Sequence, residues 1–220
     1  MTKLHFNRKH LCIPYAVFLI CFVIAPLLVI VYYAFTNGQG NFTFDNFTNF
    51  FTSTNTIGTL LYSFALAIVT TFVCLLIAYP TAYILARSNL KKKYVLLLLF
   101  ILPMWINFTL RITALKEILS VLEGNLSNFP FLNSVIGMTY DFLPFMILPL
   151  YTSLQKLDNS LLEAASDLGA NKFTVFLRVT LPLSVPGIIS GITMVFLPSM
   201  TNYVVLDMMN NSTYIPGSLI

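Results

Sequence analysis

The polar residues between positions 156 and 182 have a regular pattern and lie between two long apolar segments. Ser160 and Glu163 have the spacing of a capping box, in which a hydroxyl and a carboxylate accept hydrogen bonds from backbone amides at a helix N-terminus. Asp158 adds negative charge near the same positive end of the helix dipole. These residues shape a helix and do not form a catalytic group, so the chemistry that we predict here is recognition of another surface.

The apolar residues of the same segment predict two short helices joined by a turn. One helix face is formed by residues spaced i, i+3, i+4 and i+7, namely Leu161, Ala164, Ala165 and Leu168. Gly169 occupies the position at which a left-handed residue ends a helix. Asn171 is predicted to cap a second short helix, and Pro182 is predicted to end it.

A passive interfacial elbow, in which the leucines lie under lipid headgroups, is the alternative for this segment. Ala164 and Ala165 bury little area, so they are weak lipid anchors and instead allow close approach of another surface. A stop at Gly169 also fixes the shape of the segment, which a passive anchor does not need. The pattern therefore favours a rigid helix that another protein contacts.

The composition indicates an integral membrane protein surrounded by membrane lipid. Of the 220 residues, 57% are hydrophobic and 9% are charged, whereas a soluble domain carries about 25% charged residues. A bilayer is crossed by roughly 20 apolar residues, and five segments are long enough: Ile13–Phe35, Thr59–Ala86, Tyr94–Leu110, Phe131–Leu154 and Leu183–Leu206. Because lipid offers no hydrogen-bond partners, each span must be a helix. We predict an all-α membrane protein with a single transmembrane domain, residues 1–220.

The basic residues set the predicted orientation. Ten of the twelve Lys and Arg residues fall on one side of the five-span arrangement, and the positive-inside rule makes that side cytoplasmic. The N-terminus and segment 156–182 are then cytoplasmic, and the net charge of +4 reflects orientation, not nucleic-acid binding. An odd number of spans leaves the C-terminus outside. Since residues 210–220 have the composition of an external loop, we expect that a sixth helix is missing after them.

Residues for catalysis or for a bound cofactor are not recognisable in the sequence. There is no glycine–lysine loop of the Walker A type, so the chain is not predicted to bind ATP. No spaced His and Cys ligands predict a metal site, and no nucleophile–base pair stands out. The three cysteines lie in or beside apolar segments and are interpreted as small core residues. We predict a protein that is not an enzyme and that holds no metal or cofactor itself.

Segment 156–182 also resembles a known motif. Glu163-Ala-Ala is followed after three residues by Gly169, and nine further residues lead to Val179-x-Leu-Pro. This arrangement is similar to the EAA motif of the permease subunits of ABC importers, with valine in place of the commoner isoleucine. In that family the segment is a coupling helix that docks in a groove of the ATP-hydrolysing subunit. The resemblance implies an ATPase-coupling role for Ser160, Leu162, Glu163, Ala164, Ala165, Asp167, Gly169, Leu181 and Pro182.

The wider chain resembles one branch of that family, the spermidine/putrescine (PotB-type) importer permeases. The resemblance is carried by Leu102–Arg111, Leu143–Tyr151, Leu157–Glu163 and Leu197–Asp207. It implies a type I ABC importer permease-like helical bundle, usually of six spans, in the inner or plasma membrane of a bacterium. It also implies an ATPase dimer that holds ATP and Mg²⁺, a second homologous permease subunit and an extracytoplasmic polyamine-binding protein. The alternatives are an importer of the same type for another small solute, and a channel or scaffold without ATP coupling.

Asp141 is the acidic residue inside a predicted span. An acidic side chain at the bilayer centre is unfavourable by roughly 2.5–3.5 kcal/mol. Asp141 should therefore face a cavity or a partner, unless the span begins later and the residue lies near the headgroups. Arg111, at the outer end of the third predicted span, is expected to snorkel to the interface or to pair with an acid.

Asp207 ends the fifth predicted span. It is either an ordinary polar helix end or, as the resemblance favours, an anionic contact for a cationic substrate. Aromatic rings offer cation–π surfaces to such a substrate, although an interfacial belt or helix packing is the alternative for each ring. The candidate substrate path consists of Trp105, Tyr140, Asp141, Tyr203 and Asp207.

Overall fold

The regular secondary structure is helical throughout the computed structural model, which describes residues 12–37, 39–88, 91–124 and 128–209. Its helices are α1 (Cys12–Ala34), α2 (Asp45–Thr52), α3 (Thr54–Arg87), α4 (Lys93–Ile101, extended by the 3₁₀ turn Leu102–Trp105), α5 (Phe108–Glu123), α6 (Pro130–Gln155), α7 (Asn159–Asp167), α8 (Lys172–Thr201) and α9 (Tyr203–Met209). Single π turns interrupt α1 at Ile20–Ile24 and α8 at Phe176–Thr180. The predicted external tail, residues 210–220, and the basic N-terminal residues lie outside the described ranges.

Four helices, α1, α3, α6 and α8, are long and apolar enough to cross a membrane, and the bent pair α4–α5 makes a fifth if it is one span. This confirms the all-α membrane fold. Both α1 and α6 match their predicted spans to within one residue at each end, and α3 begins five residues earlier than predicted. Hydropathy alone located these helices, because each is a continuous apolar run of sufficient length.

The predicted third span, Tyr94–Leu110, is wrong in its C-terminal part. The helix ends in a 3₁₀ turn at Trp105, and the chain then bends by 99° into α5. Asn107 starts the new helix, because its side-chain oxygen accepts a hydrogen bond from the Thr109 backbone amide at 2.9 Å. Leu110 and Arg111 therefore lie in the first turn of α5 and not at the end of α4.

The predicted end of the fifth span at Leu206 is also wrong. The helix α8 ends at Thr201, and Asn202 leaves helical geometry with φ −82° and ψ 87°. The Asn202 side-chain oxygen then accepts a hydrogen bond from the Val205 backbone amide at 3.3 Å, which starts α9. As a result, Leu206 and Asp207 belong to a separate short helix.

Two compact units divide the chain between residues 57 and 58. In the first unit the end of α1 is capped by Asn46, whose side-chain nitrogen donates to the backbone oxygens of Tyr33, Ala34 and Thr36 at 3.0–3.2 Å. Beside this cap lies a cluster of rings formed by Phe35, Phe42, Phe44 and Phe47. The prediction of one transmembrane domain over residues 1–220 stays a prediction.

In the second unit α6 is the central helix. In the most apolar 18-residue stretch of α6, 61% of the residues are buried. The corresponding fraction is 28% in α3 and 28% in α8. Around it lie buried residues of α3, α5, α8 and α9, among them Leu66, Cys74, Ile112, Val195 and Met209. The interpretation of the cysteines as small core residues is confirmed for Cys74, which is fully buried, but not for Cys12 and Cys21, which are exposed on α1.

Two glycines let α8 approach α6 closely. A Cβ at Gly187 would collide with the Ser153 Cβ and would lie 2.9 Å from the Pro149 carbonyl oxygen, and a Cβ at Gly191 would lie 2.5 Å from the Met146 sulfur. Small residues four apart are a common solution for close helix packing in membranes. The contact joins the helix that follows the EAA-like segment to the core of the unit.

Candidate functional site

The N-terminus of α7 is capped by Asp158. Its backbone is extended (φ −67°, ψ 131°), and its Oδ1 accepts a hydrogen bond from the Ser160 backbone amide at 3.0 Å. The predicted capping box between Ser160 and Glu163 is therefore wrong, because the helix begins two residues earlier than that motif requires. Glu163 consequently lies in the middle of α7, where it is exposed.

The hydrogen bond from Ser160 holds the pKa of the Asp158 carboxyl below its usual value. The ionised cap therefore stabilises α7 above the ordinary pKa of an aspartate. This stabilisation is lost as the pH falls through the lowered pKa, so α7 keeps its charged cap at neutral pH.

The C-terminus of α7 ends as predicted at Gly169, which has a φ of +83°. The Gly169 amide donates to the Ser166 carbonyl at 2.9 Å, and the Ala170 amide donates to the Ala165 carbonyl at 3.2 Å. This pair of bonds is a Schellman motif, and the left-handed residue within it favours glycine. Both ends of α7 are thus fixed by local hydrogen bonds.

The surface of α7 carries apolar side chains that point away from the protein. Leu168 is 90% exposed, Phe173 just beyond the turn is 70% exposed, and Leu161 is 48% exposed. Glu163 and Ala164 are exposed on the same helix, whereas Leu162 and Ala165 are partly buried. An exposed apolar surface with a fixed backbone is a typical protein-binding surface.

From Lys172 onward the chain continues into the membrane helix without a break, so the prediction that Pro182 ends the second short helix is wrong. Asn171 caps α8 as predicted, since its Oδ1 accepts a hydrogen bond from the Thr174 amide at 2.8 Å. The π turn Phe176–Thr180 follows, and the Leu181 amide bonds to the Phe176 carbonyl. Pro182 comes at the start of the next α-helical segment, where a missing N–H is tolerated. One helix, Lys172–Thr201, therefore joins the EAA-like segment to the membrane span.

Further contacts fix this segment to α3. The Tyr79 and Tyr83 rings meet the Phe176 ring edge-on, with centroids 5.8 and 5.7 Å apart. The Tyr79 hydroxyl and the Ser184 hydroxyl are hydrogen-bonded at 3.0 Å and are buried. The Arg87 Nη1 donates to the Asn159 side-chain oxygen at 2.6 Å, which joins the end of α3 to the start of α7.

Sequence reasoning missed these supporting residues. Gly187 and Gly191 could have been noticed, because they form a G-x-x-x-G pattern within an apolar segment. The partners Tyr79–Ser184 and Arg87–Asn159 carry no sequence signal, since each pair is separated by more than 70 residues.

The buried acid of α6 has a partner. Asp141 is 6% exposed, and its Oδ1 accepts a hydrogen bond from the Nη2 of Arg111, which is 8% exposed. The Arg111 guanidinium carbon also lies 5.9 Å from the centroid of the Tyr140 ring. Of the alternatives predicted for Asp141, contact with a partner is confirmed. Of the alternatives predicted for Arg111, pairing with an acid is confirmed.

The remaining candidates for a substrate path lie on other helices. Trp105 is 83% exposed at the end of α4, and Tyr203 is 54% exposed on α9 together with the exposed Asp207. Within the described residues, no hydrogen bond, ion pair or ring contact joins these three side chains to the Arg111–Asp141 pair. Their role in a substrate path stays a prediction.

Comparison with known proteins identifies the family. Residues 75–218 match the family described as binding-protein-dependent transport system inner membrane component. The chain is 39% identical over 214 residues to the spermidine/putrescine transport system permease protein PotB of Haemophilus influenzae, covering 88% of this chain and 74% of the relative. It is also 39% identical over 215 residues to the protein of the same name from Escherichia coli, with 88% and 78% covered. A homolog of PotB from Mycoplasma pneumoniae is 35% identical over 144 residues, with 61% and 50% covered. With a family match over more than half of its length and relatives of this similarity, the chain belongs to the inner-membrane permease components of binding-protein-dependent transport systems.

Proposed function

We propose that this chain is the permease subunit of an ATP-driven importer of spermidine and putrescine, and that α7 is its coupling helix. The observation that carries the mechanism is the continuous helix Lys172–Thr201 that follows the capped α7. A partner that moves α7 would move this helix as one body, since the Schellman turn and the Asn171 cap fix the junction between them.

The proposed assembly has the other parts that a permease needs. An ATPase dimer that holds ATP and Mg²⁺ contacts the exposed apolar face of α7, and a second permease subunit completes the pathway. An extracytoplasmic binding protein delivers the polyamine. The N-terminus and α7 lie on the cytoplasmic side, since ten of the twelve basic residues fall there. ATP-driven closure of the ATPase dimer then opens the pathway alternately to the two sides.

The proposed substrate agrees with the positions of the acidic residues. Both relatives with 39% identity are named for the transport of spermidine and putrescine, which are polyamines with positively charged amines. Asp207 is exposed on α9 beside Tyr203, so its carboxylate is available to an ammonium group. Asp141 already pairs with Arg111, and an ammonium group would have to displace that guanidinium.

Replacing Gly169 with valine tests the coupling proposal. The left-handed backbone at Gly169 (φ +83°) is unfavourable for a β-branched residue, so the turn between α7 and α8 would change its geometry. We expect the assembled importer with Gly169→Val to insert normally and to lose about tenfold in ATP-dependent uptake of radiolabelled putrescine, in line with a strain of about 1–2 kcal/mol.

Gly124→Val is the matched control. Gly124 has a similar φ of +70° at the end of α5, and a Cβ there would meet nothing within 4 Å. The same backbone strain is thus introduced away from α7, and uptake should stay close to that of the unmodified importer. Equal uptake by Gly169→Val and Gly124→Val would contradict the coupling role. Uptake that competes with another solute but not with spermidine would contradict the substrate.

A further inference from the structure

A cavity with a volume of about 490 Å³ lies between the C-terminal end of α3 and the α7–α8 segment. Its polar lining is formed by Arg87, Ser88, Ser166 and Lys172, and its apolar lining includes Ile84 and Leu162. Two of these residues carry positive charge, and none of the described residues that line the cavity is acidic. The cavity therefore favours an anionic ligand.

Arg87 lines this cavity and has hydrogen-bond donors without a partner. Its Nη1 is held by the Asn159 side chain at 2.6 Å, whereas its Nε and Nη2 are buried and have no partner within the described residues. These two nitrogens form one edge of the guanidinium, which is the fork that binds phosphate or carboxylate through two parallel hydrogen bonds. Buried donors without a partner are unfavourable, so an acceptor that reaches this edge stabilises the protein.

Ser88 adds a third donor. Its hydroxyl is buried and also lacks a hydrogen-bond partner in the described part of the chain. The Ser166 hydroxyl is already used, since it donates to the Leu162 carbonyl at 2.9 Å. Lys172 is exposed at the start of α8 and also lines the cavity, so it contributes a second positive charge. The cavity lining thus combines unsatisfied donors from the end of α3 with a cation from the start of α8.

The position of the cavity indicates where the anion comes from. Arg87 is the last residue of α3, a helix long and apolar enough to cross the membrane, so the cavity lies at the end of a candidate membrane span. The side with most basic residues is also the side on which Lys91–Lys93 follow. Juxtamembrane basic residues of this kind attract anionic lipids.

We propose that this cavity binds a phosphate group, supplied by the headgroup of an anionic phospholipid. The headgroup phosphate accepts from the Nε and Nη2 of Arg87, after a small rotation of this half-buried side chain, and from the Ser88 hydroxyl. Lys172 supplies the second positive charge, and the glycerol backbone lies against Ile84 and Leu162. A bound lipid then connects the end of α3 with the coupling segment through Arg87 and Lys172.

The test is native mass spectrometry of the assembled full-length protein released from nanodiscs that contain phosphatidylglycerol. The unmodified protein should retain one tightly bound phosphatidylglycerol. Arg87→Lys should lower this retention by at least about tenfold, because lysine keeps the positive charge but lacks the two parallel donors of the guanidinium. Lys172→Gln changes an exposed side chain, so it should fold normally and weaken retention about fivefold.

The charge-matched control is Lys91→Gln with Lys92→Gln, two exposed lysines on the same side that do not line the cavity. This variant should retain the tightly bound phosphatidylglycerol as the unmodified protein does. A second arm adds inorganic phosphate to the nanodiscs that contain phosphatidylglycerol before the protein is released. Displacement of phosphatidylglycerol by phosphate would assign the site to free phosphate, and retention would assign it to the headgroup.

Equal retention by Arg87→Lys, Lys172→Gln and the control would overturn the proposal. So would the absence of lipid from the assembled complex together with a cross-link from position 87 to a carboxylate of a partner subunit. Since binding is measured without transport, its failure does not affect the proposed import function.

Discussion

Asp141→Asn is expected to destabilise the protein by about 3–5 kcal/mol, because it leaves the buried Arg111 guanidinium without its counter-ion. The amide introduced by this substitution would keep a hydrogen-bond acceptor but not the negative charge. Arg111 already has two buried nitrogens, Nε and Nη1, without hydrogen-bond partners in the described residues, so it depends on this carboxylate. The measurement is thermal unfolding of the purified chain in detergent, followed by tryptophan fluorescence or by size-exclusion chromatography after heating.

Asp207→Asn is the matched control for this change. Asp207 is exposed on α9, so its replacement should alter stability by no more than about 0.5 kcal/mol. The double variant Arg111→Met with Asp141→Leu should recover most of the stability, since an apolar pair of similar volume often replaces a buried ion pair without loss. If Asp141→Asn unfolds at the same temperature as Asp207→Asn, the ion pair does not stabilise the fold.

The same variants separate a structural role from a role in substrate binding. A folded double variant that still transports putrescine would place Asp141 outside the substrate path and leave it as a partner of Arg111 alone. Loss of uptake in Asp207→Asn, with stability unchanged, would place that carboxylate on the path. The two acidic candidates can thus be assigned by comparing stability with uptake.

Gly187→Ala is expected to destabilise the protein by about 3 kcal/mol, at the upper end of the usual range for overpacking. The added Cβ would collide with the Ser153 Cβ and would lie 2.9 Å from the Pro149 carbonyl oxygen, so a backbone atom would have to move. Gly191→Ala should be milder, at about 1 kcal/mol, because its Cβ meets the end of the flexible Met146 side chain. Unfolding in a gradient of sodium dodecyl sulfate measures both variants beside the unmodified protein.

Gly58→Ala controls for the change in backbone flexibility. A Cβ at Gly58 meets nothing within 4 Å, and this residue lies in the helical α3, so alanine should be neutral or stabilising by up to about 1 kcal/mol. We expect Gly58→Ala to be the most stable of the three variants, Gly191→Ala to be intermediate and Gly187→Ala to be the least stable. Equal stability of Gly58→Ala and Gly187→Ala would show that α6 and α8 do not pack closely at this point.

Hydropathy predicted the long helices well because length and apolar composition are local properties. It could not predict the 99° bend after Trp105, since Ile106 and Phe108 at the bend are apolar and continue the hydrophobic run. The local signal there is Asn107, a single capping residue inside a hydrophobic run. The break at Asn202 is of the same kind. A polar N-cap within an apolar segment is weak in sequence but decides where a helix begins.

The EAA-like segment shows a second limit of sequence reasoning. Asp158 and Ser160 are both good N-cap residues, so the sequence alone allowed two helix starts, and only the extended backbone at Asp158 distinguishes them. Proline likewise ends one helix or begins another, and the π turn before Pro182 decides for the second. Gly169 was predictable because a left-handed helix end strongly favours glycine.

Contacts between residues that are far apart in the chain could not be predicted from the sequence. That Asp141 needs a partner follows from the energy of a buried charge. That the partner is Arg111 depends on the bend that places α5 beside α6. The same holds for Arg87 and Asn159, whose contact depends on how the end of α3 meets α7.

Docking of α7 on an ATP-binding subunit can be measured by site-specific photo-cross-linking in membranes that contain the assembled importer. A photoreactive residue at Leu168, which is 90% exposed at the end of α7, should form an adduct with the ATP-binding subunit, identified by mass spectrometry of the cross-linked peptides. The same residue at Phe129, which is 57% exposed just before α6, should form none. Adducts of position 168 with lipid or with the external binding protein, and none with the ATP-binding subunit, would contradict the account.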